Sequence, residues 1–140
     1  MGEAERLLRE SLQVYRRQPS PAALDLAGTL ASLGHILLAQ SKFGEAEPFL
    51  RECLELRQNA APDDWRVFNA RSLLGGALLG QMRFEAAEPL LLEGYEGLKQ
   101  REQRIPVGNR VFIREARERL VQLYEAWGKP AQAAEWKARQ

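Results

Sequence analysis

The chain has 140 residues, which is enough for one domain with a buried core. It carries 20 Lys and Arg residues against 19 Asp and Glu residues, so no whole-molecule field favours nucleic acid or a membrane as a partner. A single cysteine excludes an internal disulfide, no apolar run is long enough to cross a bilayer, and the charged amino-terminal segment is unlike a secretory signal. We therefore expect a cytoplasmic protein.

Apolar side chains recur at helical spacing along the chain and predict about seven helices. Ser20 and Pro21 are expected to begin the second helix, with the serine as its cap and the proline at its first position. Asp63 or Asp64 is expected to cap the fourth. No stretch shows the alternation of apolar and polar residues that predicts a strand. The predicted helices cover residues 3–16, 21–39, 43–58, 65–79, 84–101, 111–127 and 131–140.

The helices repeat in pairs. Residues 33–48, LGHILLAQSKFGEAEP, return at residues 74–89 as LGGALLGQMRFEAAEP, an offset of 41 positions. Such self-similarity is typical of a stacked repeat array. Residues 3–16 align with residues 45–58 at an offset of 42, so the chain is expected to open on the second helix of a truncated repeat. We predict a single domain over 1–140, with the truncated repeat at 1–18 and further repeats at 21–58, 65–101 and 110–140, the last with a short final helix.

Small and aromatic residues in the predicted helices are interpreted as packing residues. Gly94 and Gly97 interrupt a helix of good helix formers, where each glycine costs about 1 kcal/mol relative to alanine. This cost favours close approach of a neighbouring helix at these positions. The three tryptophans are also predicted to pack in the core or between hairpins, and Trp65 is expected to be the most exposed of them.

No arrangement of residues points to catalysis, a cofactor or a metal. His35 is the only histidine and Cys53 the only cysteine, which excludes a two-histidine metal site and a thiolate zinc cluster. Cys53 is predicted to be an inert packing residue. Gly75 and Gly76 lack the spacing of a phosphate-binding loop and follow no strand. We therefore predict a protein that is not an enzyme. For His35, a packed histidine and a histidine that contacts a ligand both stay open.

A leucine followed by glycine, with an alanine twelve residues after that glycine, resembles the tetratricopeptide repeat. The residues that fit it are Leu33, Gly34, Leu37, Phe43, Ala46 and Leu50, then Leu74, Gly75, Leu78, Phe84, Ala87 and Leu91, and more loosely Leu120, Tyr124, Gly128 and Ala133. The offset of 41 to 42 exceeds the usual period, which is about 34 residues. It is similar to the long repeats of kinesin light chains, whose EAEPL-like run is matched at 45–50 and 86–91. A narrower resemblance, to repeat regions of large bacterial serine/threonine protein kinases, covers 73–98 and 118–137.

This resemblance implies an all-α fold, a right-handed solenoid of helical hairpins that acts as a protein-interaction module. In the family, the first helices of the hairpins line a concave groove that binds a peptide or protein segment. The groove residues implied here are Ala31, His35, Leu38, Asn69, Ser72, Gly76, Leu79, Glu115, Glu118, Gln122 and Glu125. Chaperone-binding members clamp a carboxylate with lysines, but Ala31 and Ser72 occupy the positions where lysines would be needed. We therefore expect an apolar groove with an acidic end, suited to a segment with small apolar side chains and a basic flank.

Two alternatives remain open at this level. The array is either the binding module just described or a structural spacer or self-association unit of a larger protein, for example one with a kinase domain. The groove is either open to a partner or filled by a neighbouring copy or by another helix. The sequence excludes neither member of each pair.

Overall fold

Helical residues dominate the computed structural model, which describes residues 2–18 and 22–139. Within those ranges there are seven α-helices and no strand, which confirms the predicted fold class and helix number. The predicted start of the second helix at Ser20 and Pro21 lies outside the described residues. The helices are α1 (Glu3–Arg17), α2 (Ala23–Ala39), α3 (Phe43–Ala60), α4 (Trp65–Gly80), α5 (Phe84–Gln100), α6 (Val111–Ala126) and α7 (Pro130–Ala138).

The helices form a solenoid of stacked hairpins. Helix α2 pairs with α3, α4 with α5, and α6 with α7, and α1 packs on α2. The hairpins stack through α3 against α4 and α5 against α6. The first helices also meet, α2 with α4 and α4 with α6, so these three share one face of the solenoid. In this part of the chain, no helix is both long and apolar enough to cross a membrane.

Each hairpin turns through one residue in the left-handed conformation. Ser41, Met82 and Gly128 have φ of 60°, 61° and 75°. The next backbone N–H then donates to a carbonyl of the preceding helix, as from Lys42 to Leu37 at 2.8 Å and from Arg83 to Leu78 at 3.0 Å. This pattern satisfies carbonyl groups that the helix end leaves without partners. The repeated turn therefore has the same geometry although its residues differ.

Glycines allow the helices of a hairpin to touch. A Cβ atom on Gly75 would lie 2.7 Å from a methyl carbon of Leu91 on the partner helix. A Cβ atom on Gly94 would lie 2.9 Å from the backbone carbonyl oxygen of Phe68 and 2.9 Å from the backbone nitrogen of Ser72. Real Cβ atoms do not approach other atoms so closely. The prediction that Gly94 is required for close helix approach is thus confirmed.

The core consists of two clusters of buried side chains, and α4 belongs to both. The prediction that Trp65 is the exposed tryptophan is wrong, because it is 7% exposed and stacks on Phe112 of α6 with ring centroids 6.1 Å apart. Trp136 meets the edge of Tyr95 at 4.9 Å. Cys53 is buried, as predicted, and burial raises the pKa of its thiol. The aromatic side chains therefore join α4 to α6 and α5 to α7.

A polar contact recurs where consecutive hairpins stack. The side chain of Gln40 donates to Glu5 at 3.0 Å, and the equivalent Gln81 donates to Glu47 at 2.9 Å. At the next junction the Tyr124 hydroxyl donates to Glu88 at 2.7 Å. All three carboxylates belong to the repeated Glu-Ala-Glu or Ala-Ala-Glu segment. The sequence repeat therefore carries a polar contact as well as apolar packing.

Candidate protein-binding site

The shared face of α2, α4 and α6 contains a cavity of about 490 Å³, which we call the acidic cavity. Its apolar part comes from Leu38 of α2 and Leu79 of α4, both half-buried. Its polar wall comes from Glu115, Glu118 and Gln122 of α6. Three consecutive hairpins therefore contribute to one concave surface, since each gives its first helix.

One side of the acidic cavity joins a histidine to a carboxylate. Nε2 of His35 lies 3.6 Å from Oε1 of Glu115. That oxygen is buried and has no hydrogen-bond partner among the described residues. The His35 side chain is 45% exposed, so it can still be reached by a ligand. A donor on a ligand, such as an amine or an amide N–H, could therefore satisfy the Glu115 oxygen.

The floor of the acidic cavity is formed by Arg119, which the sequence analysis did not select. Its side chain crosses Gly76, where an added Cβ atom would lie 3.1 Å from the Arg119 Nε atom. Its Nη1 atom donates to Oγ of Ser72 at 3.0 Å. Burial lowers the pKa of the Arg119 guanidinium. Arg119 follows Glu115 by four residues, so it lies on the same helix face, and that spacing was the signal that could have identified it.

A second cavity of about 470 Å³ adjoins the first, and His35 lines both. We call it the basic cavity, because Arg57 and Arg66 line it and no carboxylate does. Trp65 and Phe112 supply apolar wall to it. Arg57 belongs to α3, the second helix of its hairpin, so a search confined to first helices could not find it. The concave face thus carries opposite charge at its two ends.

The structure divides the eleven groove residues that the sequence predicts. Those that line the acidic cavity are His35, Leu38, Gly76, Leu79, Glu115, Glu118 and Gln122. Ala31 and Asn69 line the basic cavity. Ser72 lines neither cavity, because it is fully buried beside Arg119. Glu125 also lies outside both and pairs with Lys137 of α7 at 2.8 Å. Among the described residues, no group of three or more His, Cys, Asp and Glu side chains could hold a metal ion.

Comparison with known proteins places this geometry in a family. Residues 1–59 match the family model described as tetratricopeptide repeat. The crystal structure of BtubC (BKLC) from P. vanneervenii has a similar fold, with a TM-score of 0.59 and 16% sequence identity over 96% of this chain and 69% of that one. At that identity the similarity concerns the fold alone. No curated protein matches the sequence. The narrower resemblance to kinase repeat regions remains a hypothesis.

Proposed function

Because the chain is a tetratricopeptide repeat protein, and such repeats generally serve as protein-interaction modules, we propose that its concave face binds a peptide or protein segment of a partner. The observation that carries the proposal is the acidic cavity, to which three consecutive hairpins contribute. The fold is a non-catalytic repeat scaffold, and we assign no chemical step to it.

The chemistry of the acidic cavity supports a partner with a particular pattern of side chains. Leu38 and Leu79 offer apolar contact, and Gly76 brings the backbone of α4 close to the cavity. Glu115 and Glu118 favour a cationic or N–H-rich group at the α6 side. The segment that fits best therefore carries small apolar side chains followed by Lys or Arg.

Replacing both leucines by arginine tests this proposal. The Leu38→Arg plus Leu79→Arg variant should capture about tenfold less of the partner proteins from the source cells than the unaltered chain, because it inserts charge into the apolar part of the cavity. The matched control is Val14→Arg plus Met82→Arg, which adds the same charge at residues 55% and 71% exposed, outside the acidic cavity. Captured proteins are identified by mass spectrometry, with circular dichroism to verify that each variant folds.

A second variant does not depend on half-buried positions. Gln122 is exposed and lines the acidic cavity, so Gln122→Trp should block the cavity while leaving the core intact. Equal capture by the unaltered chain, by Gln122→Trp and by the double-arginine variant would remove the groove assignment. If no partner is captured and light scattering detects a concentration-dependent dimer, the self-association alternative is favoured. The exposed Leu7 and Val14 of α1 are the apolar surface available for that contact.

A further inference from the structure

Arg57 is a buried cation without an anion. Its side chain belongs to a residue only 9% exposed, near the end of α3. Its one hydrogen bond in the described part of the chain is from Nη1 to the backbone carbonyl oxygen of Arg66, at 3.2 Å. No carboxylate of residues 2–18 or 22–139 forms an ion pair with it. A buried charge normally has such a partner, because water no longer solvates it.

The local acidic residue, Asp64, is already engaged. Its carboxylate accepts from the backbone N–H of Arg66 at 2.9 Å, which caps α4, and from Nη1 of Arg66 at 3.2 Å. Two guanidinium groups, those of Arg57 and Arg66, therefore share one carboxylate. Burial is the main cause that lowers the pKa of Arg57, and the charge of Arg66 acts in the same direction. One positive charge at this end of the groove is left uncompensated.

An unpartnered amide lies beside the same helix turn. Asn69 is 6% exposed, and its Oδ1 atom is buried with no hydrogen-bond partner among the described residues. It follows Arg66 by three residues in α4, so the two lie on neighbouring positions of one helix face. Asn69 and Arg57 both line the basic cavity. The cavity thus presents an anion-binding group and an acceptor for an N–H group.

We propose that the basic cavity is a carboxylate-binding subsite, in which Arg57 binds a carboxylate of the partner segment and Asn69 accepts a nearby backbone N–H. This inference rests on the proposed function and names a chemical feature of the partner. The carboxylate comes either from an Asp or Glu side chain or from the carboxyl terminus of the segment. With the acidic cavity at the other end, the partner is oriented with its anionic group beside α3 and its cationic group beside α6.

Small peptides of known chemistry test the subsite without knowledge of the partner. The ¹⁵N-labelled chain is titrated with N-acetyl-Ala-Ala, with its carboxyl-terminal amide, and with N-acetyl-Ala-Glu amide. NMR follows the side-chain N–H signals of Arg57 and Asn69. We expect saturable shifts of both signals with a carboxylate-bearing peptide and about tenfold weaker binding of the Ala-Ala amide. A stronger response to the free acid or to the Glu peptide identifies the source of the carboxylate.

The variant Arg57→Met separates a binding role from a structural one. In the binding role, peptide-induced shifts at Asn69 are lost while the melting temperature is unchanged or raised, because a similar apolar side chain replaces an uncompensated charge. The control Arg51→Met removes one charge from the exposed side of α3 and should bind as the unaltered chain does.

Two results would overturn the inference. One is a titration in which Arg57 does not respond, or responds no more than the exposed arginines. The other is a folded Arg57→Met chain that binds the carboxylate peptide unchanged. The first measurement uses the unaltered chain, so it decides the matter even if the variant does not fold. Peptide binding at Arg57 without capture of any partner by the chain would retain the subsite and remove the proposed function, and the reverse pair of results would do the opposite.

Discussion

Individual glycines decide how closely the helices of this chain approach one another. Gly94 faces the backbone of Phe68 and Ser72 in α4, and backbone atoms cannot move aside as a flexible side chain can. Gly44, in the first turn of α3, is exposed, and a Cβ atom there would meet nothing within 4 Å. The two glycines have the same helix propensity but different surroundings. Their alanine variants should therefore change stability in opposite directions.

We expect Gly94→Ala to lower the free energy of unfolding by about 1–3 kcal/mol, because the new methyl group forces α4 and α5 apart. Gly44→Ala should raise it by up to about 1 kcal/mol, because alanine loses less backbone entropy in a helix. Urea unfolding followed by circular dichroism measures both. A Gly94→Ala chain as stable as Gly44→Ala would show that close approach is not the reason for the glycine.

At the scale of helices and hairpins, the repeated carboxylate joins each hairpin to the next. Hydrogen bonds from Arg9 and then Gln40 hold the pKa of Glu5 below its ordinary value of 4.5. Those from Gln81 and Arg51 do the same for Glu47. A lowered pKa means that the folded carboxyl binds a proton less readily than the unfolded one. This contribution to stability is complete above the unfolded pKa and is lost as the pH falls through the folded one.

The free energy of unfolding should therefore fall steadily between about pH 5 and about pH 3, and Glu47→Gln should make that fall less steep. The variant should also be less stable near neutral pH, because it removes the carboxylate that Gln81, Arg51 and Arg83 contact. Urea titrations at several pH values test this. Glu55→Gln, at an exposed position on the same helix, is the control. A slope that Glu47→Gln leaves unchanged would contradict the assignment.

For the whole molecule, α4 is the helix that unites the two halves. It contributes Leu73 and Leu74 to the cluster shared with α1, α2 and α3, and Trp65 and Leu78 to the cluster shared with α5, α6 and α7. In a repeat array, stability depends on contacts between neighbouring hairpins. Because α4 cannot leave one cluster without exposing the other, the two halves should unfold together.

All three tryptophans lie between residues 65 and 136, so their fluorescence reports on the second half, whereas circular dichroism reports on every helix. We predict that the two signals have the same urea midpoint. Leu120→Ala, in the second cluster, should lower the free energy of unfolding by about 2–5 kcal/mol and shift both midpoints equally. Separate midpoints would show that the halves unfold independently.

Part of the candidate site was predictable from helical spacing alone. First-helix positions such as His35, Leu38 and Leu79 recur at the places that a repeat of hairpins turns toward one face, and they line the acidic cavity. Arg57 and Arg119 were not predictable in this way. Arg57 lies on a second helix, and Arg119 crosses from its own hairpin to Ser72 of the preceding one. Their positions depend on how far neighbouring hairpins rotate against each other.

The sequence by itself determined the helices, their turns and their pairing. These follow from local properties: apolar spacing, chain breaks, and a repeat whose glycines and alanines fix each hairpin. Only the tertiary structure decided the burial of Trp65 under α6, the burial of Ile105 in a loop between two short 3-10 turns, and the separation of charge along the groove. Those features depend on contacts between residues far apart in the chain, which spacing within a single helix does not encode.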